Sequence, residues 1–353
     1  MRRARSGWGV IAAIIIVILV IAGAAAYYHK GGGQARTTTQ TGQTRTTGQA
    51  KTGSLTIRAA TLQGGISTLD IMQAAHLLDS KGYNLKVLRL QKTPDIIAAL
   101  AKGDTDFAVI PAEMAAKMIE NGANIKIVAV DMLQNQAVLV RGDSNIRNVT
   151  DLNGKLVGAV VASGTYKIFK AYMKIAYNMT VVEENTRKPG VISVVNVPPG
   201  SILDALNQGQ VDAIVIWEPF VSLGLAHGDR ILASYPEMWN KTGLTGEPVM
   251  LVWVVRGDFA AKHPDAVNAF IQARDEAAKI WVNNKTYTFQ VLGSLYKLDS
   301  KVLNILYNRT VIVTGNLNSG LIKSIRSEWW LAWKGGYLPR NPQTIPDTVF
   351  YKG

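Results

Sequence analysis

Ser163, Gly164 and Thr165 are three small residues in a row, two of them carrying hydroxyls, directly ahead of a stretch with helical apolar spacing. Small residues let backbone N–H groups approach a ligand, and a helix that begins there adds the positive end of its dipole. The chemistry on offer is capture of a small oxyanion such as a sulfonate, carboxylate or nitrate. The same residues equally suit a plain helix cap. Trp217-Glu218-Pro219 presents a second set. Trp217 can form a flat wall for a ligand and Glu218 can accept a bond from an amine or hydroxyl. Alternatively, Trp217 packs near a hinge and Glu218 braces a neighbouring loop. Tyr166 reads either as a ligand contact or as a surface residue facing a groove.

These candidates gain weight from the elements that must position them. Ala99-Leu-Ala-Lys-Gly-Asp-Thr-Asp-Phe-Ala-Val-Ile110 returns 106 positions later as Ala205-Leu-Asn-Gln-Gly-Gln-Val-Asp-Ala-Ile-Val-Ile216, with six of twelve positions identical. Each copy reads as an amphipathic helix, a glycine stop, a turn and a buried strand. Copies so far apart do not form a stacked solenoid, whose repeats run to about 20–50 residues. They predict two α/β lobes of similar build, with a cleft between them.

Strands are expected over 55–60, 84–90, 107–110 and 125–130, alternating with helices, and again over 155–161, 191–197 and 213–217. That alternation predicts mainly parallel sheets with right-handed crossovers. The chain is expected to change lobes over Gln136–Arg141 and again over Val249–Val255. The domain plan is residues 54–136 for the first part of lobe one and 137–249 for lobe two. Residues 250–353 return to lobe one and add C-terminal helices. In open parallel sheets ligands bind beyond the carboxyl ends of the strands. That rule collects Gln63, Gly64, Gly65, Thr93 and the Ala112-Glu113 step from lobe one. From lobe two it collects Ser163, Gly164, Thr165, Tyr166, Gly200, Ser201, Trp217 and Glu218.

Pro264 opens a helix whose apolar stripe holds Val267, Phe270, Ile271, Ala278 and Trp281. Arg274 falls on the same stripe, so that face is expected either to be buried only in part or to keep the arginine head wet. His263, just before Pro264, reads as the helix start. A further helix near Leu321–Trp333 carries Trp329, Trp330 and Trp333. Their spacing suits the packing of an amphipathic helix better than an aromatic ligand box.

No catalytic set emerges. The chain lacks a G-x-S-x-G elbow, a phosphate-binding G-x-x-x-x-G-K and an H-E-x-x-H pair. With no cysteine among 353 residues, thiol catalysis, disulfides, thiolate metal sites and a lipid anchor on cysteine are excluded. The four histidines show no metal-ligand spacing. The expectation is a binding protein, not an enzyme, without cofactor or metal.

The net charge of +13 is uneven. Residues 1–53 hold seven basic residues and no acid, leaving 31 Lys and Arg against 25 acids, or +6, for the rest. No basic block marks a nucleic-acid footprint, and none is expected to bind. Trp8–Tyr28 is 21 uncharged, mostly apolar residues behind three arginines. At 1.5 Å per residue it spans about 31 Å, the thickness of a bilayer core. Residues 1–29 are therefore expected to be a transmembrane anchor with the body outside. The alternative is a cleaved signal segment, with Ala24-Ala25-Ala26 at the cleavage site. Residues 30–53, nearly all Gly, Thr and Gln, read as a flexible tether. Five Asn-x-Thr triplets agree with export.

At this point the residues resemble a family. The matching pieces are Ala99-Leu-x-x-Gly103-x-x-Asp106-Phe107, Asp151-Leu-Asn-Gly-Lys155 leading to Ser163-Gly164, and Ala205-Leu-x-x-Gly209-x-x-Asp212-Ala213. They are followed by Trp217-Glu-Pro219, then Phe259-x-x-x-His263-Pro264 and a helix ending Ile280-Trp281. The body from residue 54 to about 290 resembles solute-binding proteins of ABC importers. The group is that of nitrate, sulfonate and taurine receptors, which also includes thiamine-precursor binders. The resemblance implies a periplasmic-binding-protein-like fold of type II, with two crossovers and the Ser163-Gly164-Thr165 loop and Trp217 region lining the cleft. It implies a small-molecule solute, an ABC permease with its ATPase as partners, and a monomeric receptor. A transmembrane helix and Thr-rich stalk in place of a cysteine anchor is similar to archaeal members. An enzyme of the same fold, of the lyase or pyrimidine-precursor synthase type, and a ligand-sensing ectodomain are the rival readings.

Overall fold

The repeated unit folds the same way twice. In a computed structural model that describes residues 54–352, helix α2 (Thr93–Lys102) ends at Gly103, whose φ of 82° is left-handed and suits glycine. Strand β3 (Phe107–Pro111) follows. The second copy gives α5 (Ile202–Asn207), Gly209 at φ 71°, and β9 (Ala213–Ile216). The shared aspartate does the same work in both. Asp106 accepts the Arg58 backbone N–H at 3.0 Å and the Arg58 guanidinium. Asp212 accepts the Leu156 N–H at 2.8 Å and the Arg187 guanidinium. Each thus ties the turn to the start of the neighbouring strand.

Around the first copy, β1 (Thr56–Leu62), β2 (Asn84–Leu90), β3, β4 (Ile125–Leu133) and β11 (Val249–Arg256) form a sheet in the order β2-β1-β3-β11-β4. Around the second, β5 (Ala137–Val140), β6 (Leu156–Ala159), β7 (Val181–Glu183), β8 (Ile192–Asn196), β9 and β10 (Arg230–Ser234) form a sheet in the order β10-β5-β9-β6-β8-β7. Most strands run parallel as expected, but each sheet is mixed by one reversed strand. β11 runs antiparallel to β3 and β4, and β5 antiparallel to β9 and β10. Both are the first strands the chain forms on entering a sheet from the other one; β5 follows β4 after three residues, too few for the crossover that a parallel neighbour needs.

The two crossings are short and lie just ahead of the expected segments, at 134–136 and 242–248. Gln136–Arg141 and Val249–Val255 are instead largely strand, because their apolar runs pair into the sheets. The two connections touch, with the Gln134 N–H donating to the Pro248 carbonyl at 2.7 Å.

One face of the first sheet packs on α1 (Thr68–Ala74), α8 (Gly257–Lys262), α9 (Pro264–Asn283), α10 (Lys285–Tyr296) and α11 (Ser300–Arg309). The outer face of the second sheet packs on α5 and α6 (Phe220–His227). The remaining faces of both sheets share one apolar cluster with α3 (Ala112–Glu120), α4 (Gly164–Ala176), α7 (Tyr235–Lys241) and α12 (Ser319–Lys334). Helix α12 lies against both α3 and α4 and so joins the two halves. Trp329 packs as the spacing predicts, buried with its indole N–H donating to the Ala112 carbonyl at 2.8 Å, Trp333 is half-buried against the same cluster, and Trp330 is half-buried outside it. Arg274 departs from expectation, since its head is neither wet nor exposed. It is 1% accessible and donates to the carbonyls of Val313, Val130 and Gly315 at 2.6, 2.9 and 3.1 Å. Buried carbonyls supply what water would have supplied.

Among the described residues no helix is long and apolar enough to cross a membrane. The expected anchor over residues 1–29 and the tether over 30–53 lie outside the described residues.

Candidate functional site

The carboxyl ends of β1, β3, β4 and β9, the first turns of α2, α3 and α4, the first crossing and the start of β11 converge on one cavity between the sheets. It is lined almost wholly by buried residues and holds about 50 Å³ of water-accessible space. A wider groove of about 650 Å³ lies at its mouth, lined by Gln63, Gly64, Lys92, Ser163, Gly200 and Phe220 among others.

Thr93, Glu113, Ser163, Gly164, Thr165, Trp217 and Glu218 line the cavity, and so does Gly65. Gln63 and Gly200 line the outer groove instead, and Gln63 is exposed. Ser201 is exposed, with its hydroxyl donating to the Pro198 carbonyl. Tyr166 is a correction. Its side chain is buried in the second half and its hydroxyl donates to Glu183 at 3.0 Å, away from the cavity. Thr165 and Ile168, three residues apart, share the helix face that looks into the cavity, and Tyr166 is rotated about 100° from Thr165.

The capping reading of the Ser163 loop applies to its hydroxyl. The Ser163 hydroxyl is used as a cap: it accepts the Tyr166 N–H at 3.2 Å and donates to the Val160 carbonyl at 2.7 Å. Gly164 and Thr165 occupy the first two positions of α4, where N–H groups have no partner inside the helix. Tyr235 fixes this turn by donating its hydroxyl to the Thr165 carbonyl at 2.6 Å.

Trp217 is 5% exposed, stands edge-on to Phe220, and its indole N–H has no hydrogen-bond partner. Glu218 lines the cavity yet acts as the brace. Its Oε1 accepts from Arg309 Nε at 2.7 Å and its Oε2 from the Ser222 N–H at 3.0 Å. Burial pushes the Glu218 carboxyl upward in pKa, with Arg309 opposing. Arg309 also donates to the Asn135 carbonyl at 3.0 Å, so it ties α11 to the first crossing as well.

Glu113 is 2% exposed and its Oε1 has no partner. Burial pushes its carboxyl up to about 8. Residues that the strand-end rule missed complete the wall, chiefly Gln134, Asn135, Gln136 and Glu328. Gln134 donates to Glu328 at 2.9 Å and accepts from the Tyr172 hydroxyl at 2.5 Å. Burial and the nearby Glu113 push the Glu328 carboxyl well above the usual range. Three side-chain amides in a row after an apolar strand, and an acid on the buried stripe of a tryptophan-rich helix, were the signals available in the sequence. The Gln63-Gly64-Gly65 loop is held from behind, where Tyr296 donates to the Gly65 carbonyl at 2.7 Å. Among the described residues no group of three His, Asp or Glu is placed to hold a metal ion.

Two mixed α/β sheets joined by two adjacent connections, with a partly enclosed cavity of apolar and polar lining at their strand ends, define a two-sheet binding-protein-like fold. The chain matches the NMT1/THI5-like family over residues 78–286, more than half its length, and belongs to that family. It is 28% identical over 191 residues to the taurine-binding periplasmic protein of Escherichia coli, covering 54% of this chain and 55% of that relative. The chain thus spans about half the length of that protein. It is 23% identical over 249 residues to a putative aliphatic sulfonates-binding protein of Bacillus subtilis, covering 70% of each. Among solved structures, the alkanesulfonate-binding protein of Xanthomonas axonopodis pv. citri bound to MOPS superposes with a TM-score of 0.68. It shares 18% identity and covers 84% of this chain and 98% of that one. That likeness bears on the fold.

Proposed function

We propose that the protein is an extracellular receptor of an ABC importer. It would capture a small solute bearing an oxyanion of the sulfonate, nitrate or carboxylate type and deliver it to a membrane permease powered by a separate ATPase. Thr93, Glu113, Gly164, Thr165 and Trp217 face the solute. Ser163 and Glu218 hold the wall in shape, and Gln63 sits at the entrance. The one observation that carries this reading is the buried cavity at the strand ends with an unanswered donor in its wall, the Trp217 indole N–H, beside the Gly164 and Thr165 amides, which a helix leaves without internal partners.

The two lobes, residues 54–136 with 250–353 and residues 137–249, would open and close about the crossings at 134–136 and 242–248. The solute would favour the closed form because only there do both lobes touch it. The family membership supports this reading, as do the names of the binding proteins to which the chain is similar. In this reading residues 1–29 anchor a monomer by one N-terminal helix and no catalytic step occurs.

A thermal-shift panel on residues 52–353, one compact unit, tests the proposal. A true solute at 100 times its Kd raises stability by about 2.7 kcal/mol. Failure of every sulfonate, carboxylate and nitrate to shift the melt, or turnover of the solute, would refute it. If Ser163→Ala and Trp217→Ala both leave the affinity of a confirmed solute untouched, the site is misplaced.

A further inference from the structure

We infer that Asn178 carries an N-linked glycan, which makes the loop between α4 and β7 a modification site. This rests on the extracellular placement in the reading above and not on its solute.

Asn-x-Thr is the acceptor triplet for sugar transfer to an asparagine amide, used in surface loops of exported chains. The sequence offers five such triplets, and the fold separates them. In the transfer, Asn Nδ2 bonds to the anomeric carbon of a glycosyl donor linked to a lipid phosphate. The carbon–oxygen bond to the phosphate breaks, the amide gives up one proton and the lipid phosphate leaves. A motif that needs both the amide and the hydroxyl must present both to one enzyme. Residues two apart on a helix point about 200° away from each other, so a helical triplet does not present both.

Four triplets fail on this ground or a related one. Asn308 and Arg309 belong to α11, and Thr310 after them is buried. Asn240 and Lys241 close α7, and the Thr242 hydroxyl is spent inside the chain. It donates to the Trp239 carbonyl at 2.7 Å and accepts the Leu244 N–H at 3.2 Å. Asn284 caps α10 by accepting the Tyr287 N–H at 3.1 Å, and Lys285 and Thr286 are the first residues of that helix. Asn148 opens the 3₁₀ turn Val149–Leu152, where Asp151 pins the backbone by accepting the Arg147 and Asn148 N–H groups at 2.8 and 2.9 Å.

Asn178-Met179-Thr180 passes. The whole triplet lies between the end of α4 at Ala176 and the start of β7 at Val181. Asn178 and Thr180 are exposed while Met179 is half-buried against the core, the alternation of an extended chain. Asn178 stands at φ 52°, a left-handed conformation that Asn tolerates better than most residues. Helix α4 runs 13 residues, about 20 Å, from Gly164 at the cavity to this loop, so a glycan here leaves the cavity clear.

Peptide mass spectrometry of the full-length chain, recovered from the membranes of the cells that make it, decides the matter. The tryptic peptide Ile175–Arg187 is expected to carry sugar, and the peptides holding the other four triplets to lack it. Thr180→Ala should lose the sugar and Thr180→Ser, which keeps the hydroxyl, should retain it. Asn178→Gln should lose it too, and solute affinity should stay unchanged in all three variants. A bare Ile175–Arg187 peptide overturns the assignment. Sugar on all five triplets overturns the selection by fold, and sugar surviving in Thr180→Ala places it on another residue. Protease added to intact cells tells the failures apart. A bare peptide from a chain that the protease cleaves sinks the glycan alone, whereas one from a protected chain sinks the extracellular placement as well.

Discussion

A methyl group on Gly164 would lie 2.2 Å from Oε1 of Glu113 and 2.7 Å from Cβ of Pro111. Gly164 begins α4 in the second half of the molecule, whereas Pro111 and Glu113 join β3 to α3 in the first. The halves meet here without room for a single carbon. Glycine is required by the approach itself.

Gly164→Ala should therefore oppose closure more than folding. Overpacking of this kind costs about 1–3 kcal/mol, or about 5- to 150-fold in affinity if it falls on the closed state alone. Calorimetry should show that loss, and small-angle scattering should give a larger radius for the variant with solute present. An unchanged affinity would mean the halves do not need this contact.

Trp217→Phe keeps a flat ring and deletes the unpartnered indole N–H. If that N–H meets the solute's acceptor, affinity should fall about tenfold, the worth of one hydrogen bond in a buried site. Trp217→Ala should lose more, by removing the wall as well. Identical affinity for Phe and Trp variants would leave the indole nitrogen without a ligand role.

Removing Arg309 strands a buried carboxyl. Arg309→Met should destabilise the fold by about 3–5 kcal/mol, because Glu218 is then left charged and unpaired. Adding Glu218→Gln to that variant should recover much of the loss. Urea unfolding of the two single variants and the double variant measures the coupling, and simple additivity would show that the pair does not act as a unit.

Glu113 sets a pH slope. Its carboxyl is held up to about 8 in the folded chain against 4.5 ordinarily. Between these values the folded state binds more protons than the unfolded one, so stability of the solute-free protein falls as pH rises. Melting temperature should decline from about pH 5 to pH 8, and Glu113→Gln should flatten part of that decline. Glu218 and Glu328, also raised by burial, leave a residual slope of the same sign. A melting temperature that climbs through this window would contradict the burial of Glu113.

Legibility in the sequence followed range. The helix–glycine–strand repeat was readable because its period is local: Gly103 and Gly209 stop helices by backbone geometry that one residue decides. The strand-end rule then reached Thr93, Glu113, Gly164, Thr165 and Trp217 without any knowledge of packing. It misjudged Tyr166, since a rotation of about 100° per residue separates a helix face that sees the cavity from one that does not. It did not foresee the one reversed strand in each sheet, β5 and β11, since the direction in which the chain enters a sheet after a crossing has no local signal.

By itself, the sequence determined that two like units flank a small-residue turn, that thiol chemistry is absent, and that an apolar segment precedes a stretch rich in Gly, Thr and Gln. Tertiary structure alone decided the charge of the cavity. Gln134 and Glu328 are 194 residues apart and Glu218 and Arg309 are 91 apart, and neither pair leaves a periodic trace. Local patterns report which face of an element is apolar. Which carboxyl finds a partner, and which is left waiting for one, depends on groups that only the folded chain brings together.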